Sequence, residues 1–223
     1  MQKIWIITAM REEAEHIIER YQLRRVHTLS TLEIYESSDI VLALSGIGKV
    51  QASIAASYLC QNYDIESYIN IGIAGNLRAE SQSIWDVFIV SRVMQHDMYL
   101  PFVWAHLDYA RADIELREYS LWELSWEGFT VTLWAGCLTW DQFIDDTLRV
   151  QSLAESYPLA HVVEMEAYAI AATLREYGKL ESLICIKAIS DGADSDARAA
   201  HISHLDYAMK NSLKVLEQVI KTL

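Results

Sequence analysis

The sequence is poor in the residues that break or cross-link a chain. Of its 223 residues only 2 are proline, 8 are glycine and 3 are cysteine. This composition excludes a collagen-like repeat and argues against long disordered linkers. Cys60, Cys137 and Cys185 lie far apart, with no CxxC or cysteine–histidine spacing typical of metal ligands. We therefore expect free thiols in a reducing compartment and no bound metal.

Basic residues and long apolar runs are also scarce. Lys and Arg total 18 against 31 Asp and Glu, a net charge of −13 with His neutral. Because an acidic surface without a basic patch repels polyphosphates, we expect no nucleic-acid binding. The first apolar stretch is interrupted at Arg11, and no other run approaches the roughly 18 apolar residues of a membrane span. We expect a cytoplasmic protein without membrane association.

What is present is an apolar chain in which strand and helix patterns alternate. Apolar residues make up 52% of the sequence, enough for one core, and we predict a single domain over residues 1–223. Apolar strands that alternate with helices indicate an α/β fold, a three-layer α/β/α sandwich around a central mixed, largely parallel sheet. The patterns predict strands at 4–8, 68–71, 87–93, 130–138 and 182–189, a hairpin of 32–37 with 40–44, and helices at 11–21, 50–63, 142–155, 164–177 and 201–223.

Polar and glycine-containing segments follow several predicted strands, where open α/β sheets bind ligands. Each has an ordinary explanation when taken alone: acidic residues favour helix N termini, glycines permit tight turns, and Ser190 with Asp191 suits a cap or turn. The segment at 45–49 is not a triphosphate-binding loop, because the GxxxxGK frame would need glycine at Ala43. No serine lies in a GxSxG elbow, so a serine hydrolase has little support.

Taken together and in order, these segments resemble the nucleoside phosphorylase and nucleosidase superfamily, most closely the methylthioadenosine/S-adenosylhomocysteine nucleosidases. The matching motifs are IITAMREE at 6–13, LSGIGKV at 44–50, NIGIAG at 70–75, VEMEA at 163–167 and AISDGAD at 188–194. The resemblance implies a nucleoside phosphorylase-like fold and cleavage of an N-glycosidic bond by water, through a transition state resembling a ribosyl cation.

The resemblance also implies roles for particular residues. The family's general acid, which protonates the purine leaving group, corresponds to Asp191, and the base that activates water corresponds to Glu13. Glu166 corresponds to the ligand of the ribose hydroxyls, with Met165 packed against the sugar. The remaining expected substrate contacts are Phe143 stacked on the base, the Ile144 backbone at the base edge, Ile47 in the pocket for the 5′ substituent, Ile73 and Ser190.

Beyond these residues, the resemblance implies a small-molecule purine nucleoside as partner, no metal or organic cofactor, and a homodimer. The segment 99–127, rich in aromatic and acidic residues and without a clear period, is a candidate interface or a wall of the 5′ pocket. We expect no role for the histidines, His201 among them.

Some positions depart from the family pattern. Ile73 stands where the nucleosidases usually have serine, Trp85 where glycine is usual, and Lys187 where arginine is usual. These departures concern the substrate more than the reaction, because the three carboxylates are present. The leading hypothesis is hydrolysis of a 5′-modified adenosine, such as methylthioadenosine or S-adenosylhomocysteine, to free base and sugar. A futalosine-type hydrolase, a phosphate-dependent nucleoside phosphorylase and a non-catalytic nucleoside-binding protein stay open; the carboxylates near the first strand disfavour phosphate.

Overall fold

The fold is built on a large mixed β-sheet. In a computed structural model the described residues are 3–64, 66–98, 113–194 and 197–223, and they form eleven strands and five α-helices. In chain order these are β1 (Ile4–Thr8), α1 (Arg11–Tyr21), β2 (Arg24–Leu29), β3 (Leu32–Glu36), β4 (Ile40–Leu44), α2 (Lys49–Asn62), β5 (Ser67–Asn76), β6 (Val87–Gln95), β7 (Ile114–Glu115), β8 (Ser125–Trp126), β9 (Phe129–Thr139), α3 (Thr147–Ser156), β10 (Ala160–Glu164), α4 (Ala167–Glu176), β11 (Leu183–Asp191) and α5 (Ala197–Ile220).

The strands are ordered β10-β9-β6-β11-β5-β1-β4-β3-β2 across the sheet. β1 runs parallel to β4 and β5, β5 parallel to β11, and β9 parallel to β6 and β10. β10 also pairs antiparallel with the end of β5, where Val163 lies opposite Gly75. The path β5-β11-β6-β9-β10 therefore closes on itself, which brings the ends of distant strands together.

Helices cover both faces of the sheet, and each face has its own core. On one face Ala55 and Leu59 of α2 pack in one cluster with Ile170 and Leu174 of α4. On the other face α1 and α5 contribute Ile17, Met209 and Leu216, among others, to a second cluster. Burial on both faces explains why β4 and β11 are buried along their whole length. The predicted α/β fold with a mixed sheet between helices is confirmed.

Several predicted boundaries are wrong. The helix expected from 142 begins at Thr147, because Asp146 caps it by accepting the Arg149 N–H at 2.8 Å. The helix expected from 164 begins at Ala167, and residues 160–164 form β10 instead. The sequence also gave no prediction of β2, whose six residues are all exposed. Of the segment 99–127, residues 99–112 lie outside the described part of the chain, and the remainder contributes β7 and β8.

Among the described residues, no helix has both the length and the apolar character needed to cross a membrane.

Candidate active site

A cleft of about 660 Å³ opens where several strands end. Its walls come from the residues at or just after the carboxyl ends of β1, β4, β5, β9, β10 and β11, and from the first turns of α5. This is the place where open α/β sheets bind ligands. The lining residues are Ala9, Met10, Glu13, Ile47, Ile73, Ala74, Gly75, Gln142, Phe143, Ile144, Val163, Glu164, Met165, Glu166, Ser190, Asp191, Ala193 and His201.

All nine residues predicted from the sequence as site residues line this one cleft. They come from segments up to 178 positions apart, the separation of Glu13 and Asp191. Their individual roles stay predictions, since the cleft's geometry shows where they lie and not what they do. Phe143 and Ile47 are 41% and 53% exposed, whereas Glu13, Glu166 and Asp191 are all buried.

Glu13 is held by backbone N–H groups. Its Oε2 accepts the N–H of Ala9 at 3.1 Å and of Met10 at 2.9 Å, together with the hydroxyl of Thr8 at 2.8 Å. Its Oε1 accepts the Ile73 N–H at 2.9 Å. A carboxylate has about four acceptor positions, so Oε1 is the oxygen with capacity left for a further donor such as water.

Glycine at position 72 makes room for this carboxylate. A Cβ added to Gly72 would lie 2.6 Å from Glu13 Oε1, well inside van der Waals contact. Position 72 of the NIGIAG motif therefore requires glycine because a Cβ would collide with the Glu13 carboxylate that packs on it. A positive φ is not the reason.

Glu166 lies between a helix terminus and a buried ion pair. Its Oε1 accepts the Gly48 N–H at 2.8 Å, at the N terminus of α2, which favours negative charge. Glu164, two residues before it, accepts the Glu166 N–H at 3.0 Å and the ammonium of Lys187 at 2.8 Å. The Thr139 hydroxyl donates to Glu164 at 2.6 Å. Lys187 and Glu164 are both almost wholly buried, so each neutralises the other.

These surroundings move the two carboxyl pKa values in opposite directions. Burial, and then the neighbouring charge of Glu164, raises the pKa of Glu166 to about 8. The Lys187 ammonium and the hydrogen bonds to Glu164 outweigh its burial and lower the pKa of that carboxyl. Two acids two positions apart in sequence thus have different protonation behaviour, which is typical of functional sites.

Asp191 is the last residue of β11, and within the described part of the chain three polar groups lie close to its carboxyl. Its Oδ1 accepts the Ala193 N–H at 2.9 Å, and its Oδ2 accepts the Ser190 hydroxyl at 2.7 Å. The Nδ1 of His201 lies 3.6 Å from Oδ2. Two of these contacts come from residues next to Asp191 in the chain, whereas His201 reaches it from α5.

The loop that carries Phe143 and Ile144 is tied to the N terminus of α2. Asp141 Oδ1 accepts the Lys49 N–H at 2.8 Å, and the Lys49 ammonium lies 2.6 Å from Asp97 Oδ1. The first turn of α2 therefore binds two carboxylates, Asp141 from this loop and Glu166 from the turn before α4. This shared terminus fixes the loop relative to Glu166.

Comparison with known proteins identifies the family. The family model described as the phosphorylase superfamily matches residues 3–221. The chain belongs to the phosphorylase superfamily. Among relatives in this superfamily, the 5′-methylthioadenosine/S-adenosylhomocysteine nucleosidase of Shewanella oneidensis is 30% identical over 212 residues, covering 87% of this chain and 86% of that protein.

Solved structures of the superfamily agree in fold. The 5′-methylthioadenosine/S-adenosylhomocysteine nucleosidase of Neisseria meningitidis, in complex with methylthio-immucillin-A, has a TM-score of 0.86 and 27% identity, with full coverage of both chains. The futalosine hydrolase of Helicobacter pylori has a TM-score of 0.79 and 22% identity, covering 100% of this chain and 98% of that one, a likeness of fold. The predicted nucleoside phosphorylase-like fold is confirmed.

Two titratable residues of the cleft wall, His201 and Glu164, have no role in the prediction from sequence. His201 was expected to have no role, yet its ring lies in the cleft against Phe143, with the ring centroids 5.4 Å apart. The sequence could have placed His201 near the site, because its helix follows the turn after Asp191 and packs back along β11. Glu164 was recognised as part of the VEMEA motif, but its partner Lys187 is 23 positions away and could not be paired with it from sequence.

The departure at Trp85 has a structural consequence. Trp85 has φ of 79°, a conformation in which glycine is favoured and a bulky residue is strained. Its ring is held by Tyr207, at a centroid distance of 4.7 Å, and by His204, at 5.6 Å. Packing against α5 therefore compensates for the loss of glycine at this position, close to the strand that ends at Asp191.

Proposed function

We propose that this protein hydrolyses the N-glycosidic bond of a purine nucleoside, releasing free base and free sugar. The observation that carries the proposal is the convergence of Glu13, Glu166 and Asp191 on one cleft at the strand ends. Membership of the phosphorylase superfamily and the nucleosidase names of its relatives support the same reaction class. Fold likeness alone would not, because one fold hosts many activities.

In this mechanism Asp191 donates a proton to the purine as the bond between sugar and base breaks, and the bonding electron pair leaves with the base. Glu13 accepts a proton from water, whose oxygen forms the new bond to the sugar carbon. Glu13 suits the role because its remaining acceptor position is on Oε1, while backbone N–H groups fix its orientation. Glu166 binds the ribose hydroxyls through its Oε2, since Oε1 is bonded to Gly48.

The charge of the cleft favours a reaction through a cation and disfavours phosphate. Four acidic side chains line it, Glu13, Glu164, Glu166 and Asp191. Among the lining residues that the structure describes there is no Lys or Arg. The carboxylate of Glu13 stabilises a developing ribosyl cation and repels a phosphate co-substrate, whereas Glu164 is neutralised by Lys187 and Asp191 carries the proton that it donates. Water is therefore the acceptor that the electrostatics support.

We propose a 5′-modified adenosine, such as methylthioadenosine or S-adenosylhomocysteine, as the substrate. The names of the relatives and the apolar Ile47, Phe143 and Met165 in the cleft wall support it. A futalosine is the second candidate, because a futalosine hydrolase shares the fold. Ile73 matters to either substrate chiefly through its N–H, which binds Glu13, and its side chain is buried.

We also propose a homodimer. Val50, Ile54 and the cleft residue Ile47 are 66%, 50% and 53% exposed and follow one another along the start of α2. A second subunit on this apolar row would also cover the mouth of the cleft. Light scattering should give twice the chain mass, and the double variant Val50→Glu, Ile54→Glu should give the monomer mass. A wild-type monomer at micromolar concentration would contradict this assembly.

The reaction is tested by product chromatography. Purified protein is incubated with methylthioadenosine, S-adenosylhomocysteine, adenosine, inosine or a futalosine, each with and without phosphate. Free base and free sugar without phosphate are expected. Product formed only with phosphate would identify a phosphorylase, and ligand-induced thermal stabilisation without product would identify a binding protein.

The same product assay tests whether Asp191 is the general acid. Asp191→Asn keeps the size of the side chain and an oxygen for the Ala193 N–H, so the fold should be retained while base release falls by about 10²-fold or more. Asp39→Asn, in the turn between β3 and β4, is the matched control and should retain wild-type kcat. An Asp191→Asn variant with wild-type activity would remove Asp191 as the acid.

A further inference from the structure

His201 connects the buried Asp191 carboxyl to the outside of the protein. Its Nδ1 lies 3.6 Å from Asp191 Oδ2, and its side chain is 24% exposed, against 3% for Asp191. Such a separation is slightly longer than a hydrogen bond, and catalytic hydrogen bonds are often long before substrate binds. Ser190, whose hydroxyl donates to Asp191, is completely buried.

Asp191 must regain a proton after each turnover, and His201 lies where it can supply one. In each turnover Asp191 gives a proton to the departing base and is left as a carboxylate. That carboxylate must regain a proton before the next turnover, although little of it contacts solvent. A histidine exchanges protons readily between pH 5 and 8, and it is the side chain best suited to carry one from solvent to a buried acid.

We propose that His201 is a positioning residue that acts through Asp191, passing to it from solvent the proton with which Asp191 is recharged. In the recharging step the Nδ1–H bond of the imidazolium breaks and the O–H bond forms on Asp191, leaving a neutral ring. The ring then takes a proton from solvent. The active form is therefore the one in which Asp191 has received this proton. This inference rests on the proposed function.

The charged surroundings of His201 are consistent with this role. Asp191 faces it from the end of β11, and Glu13, Glu164 and Glu166 line the same cleft from the other strand ends. Phe143, from the loop before α3, packs against the ring and carries no charge. On α5 itself, His204 is directed to the Ser190 carbonyl at 3.1 Å. Among described residues, Asp191 is the acid within 4 Å of a ring nitrogen of His201.

The kinetic test uses two substitutions and a matched control. His201→Phe keeps a ring against Phe143, and His201→Gln keeps a hydrogen-bond donor, but neither can carry the proton. For both, we expect kcat at pH 7.5 to fall about tenfold or more with KM nearly unchanged, because proton transfer typically contributes 10²–10⁴-fold. The alkaline limb of the kcat profile should move to lower pH, since no side chain then supplies the proton that recharges Asp191.

His27→Phe is the control, because His27 is an exposed residue of β2 that packs on Tyr58. It should leave the pH profile unchanged. An alkaline limb that stays in place in both His201 variants, or a loss confined to KM, would overturn the proposal and make His201 a packing or substrate-contact residue.

A second measurement is independent of turnover. The His201 ring resonances, assigned by their loss in His201→Phe, are titrated by NMR in the wild-type protein and in Asp191→Asn. We expect the pH profile of these resonances to differ between the two proteins, because the substitution removes the carboxylate that faces Nδ1. Identical profiles would refute the coupling. Absence of any nucleoside hydrolysis, with different profiles, would instead refute the proposed function and leave the pair intact.

Discussion

The substitution Glu166→Gln should make the protein more stable at alkaline pH while it removes activity. Glu166 is buried, and its pKa is raised to about 8, mainly by burial and then by the charge of Glu164. A glutamine keeps an oxygen for the Gly48 N–H, which Glu166 Oε1 accepts at 2.8 Å. The variant therefore loses the unfavourable buried charge and retains the helix contact.

The sign follows from proton binding. With a pKa near 8 in the folded protein and an ordinary value of 4.5, Glu166 binds its proton more tightly when folded. The wild-type free energy of unfolding should therefore fall as pH rises from 4.5 to 8, and then level off. A full difference of this size corresponds to roughly 5 kcal/mol. Since the glutamine amide must also be buried, we expect a net gain of about 2–3 kcal/mol at pH 8.

Glu164→Gln is the matched control and should act in the opposite direction. Glu164 pairs with the Lys187 ammonium at 2.8 Å, and its pKa is lowered. Its contribution to stability is present above its ordinary pKa and is lost as pH falls. Replacing it leaves the ammonium buried and uncompensated, so the free energy of unfolding at pH 8 should fall by about 3–5 kcal/mol.

The assay is urea unfolding of the three proteins at pH 5 and pH 8, followed by tryptophan fluorescence and circular dichroism. The advantage of Glu166→Gln over wild type should be larger at pH 8 than at pH 5. Its kcat/KM should fall by about 10²-fold or more, because an amide NH₂ replaces the Oε2 that accepts the ribose hydroxyls and the side chain can no longer ionise beside the ribosyl cation. Equal pH dependence in wild type and Glu166→Gln would refute the assigned protonation behaviour of Glu166.

Three further substitutions probe how the site is held. Gly72→Ala places a Cβ 2.6 Å from Glu13 Oε1, so kcat should fall about 10²-fold while the circular dichroism spectrum is retained. A wild-type kcat would show that activity does not depend on this position of the Glu13 carboxylate. Asp141→Ala removes the acceptor of the Lys49 N–H, so KM should rise about three- to tenfold with kcat little changed, and an unchanged KM would mean that other contacts fix the loop. Asp146→Ala removes the cap of α3 and should lower the free energy of unfolding by about 1 kcal/mol in urea titration; no loss would mean that the cap is replaceable.

The sequence predicts best those elements whose pattern depends on burial alone. β1 and β4 are found where the apolar runs place them, and α2 begins one residue before its prediction, because its alanines pack on the sheet. The site segments were found through motif order, which fixes their position at the strand ends. The resemblance to the nucleosidases that these motifs carry therefore located the residues of the cleft.

The wrong predictions lie where residues make contacts around the site instead of continuing a helix. Residues 142–146 have helical composition, but Asp141 binds the N terminus of α2 and the chain continues as a loop to Asp146. β10 was missed because it is short and contains the polar His161 and Glu164, and only the distant Lys187 makes burial of Glu164 possible. Contacts between residues far apart in sequence leave no local pattern to read.

The arrangement of the cleft explains how a protein can hold four buried acids so close together. Each has its own compensation: backbone N–H groups for Glu13, a helix terminus for Glu166, an ammonium for Glu164, and the Ala193 N–H with His201 for Asp191. The compensation is incomplete at Glu166, as its raised pKa records. A negative charge in the cleft raises the free energy of the protein without substrate, but the same charge stabilises a ribosyl cation. If the proposed reaction is correct, the instability at Glu166 and the catalytic power of the site have the same origin, so substitutions that neutralise this acid must raise stability and lower activity together.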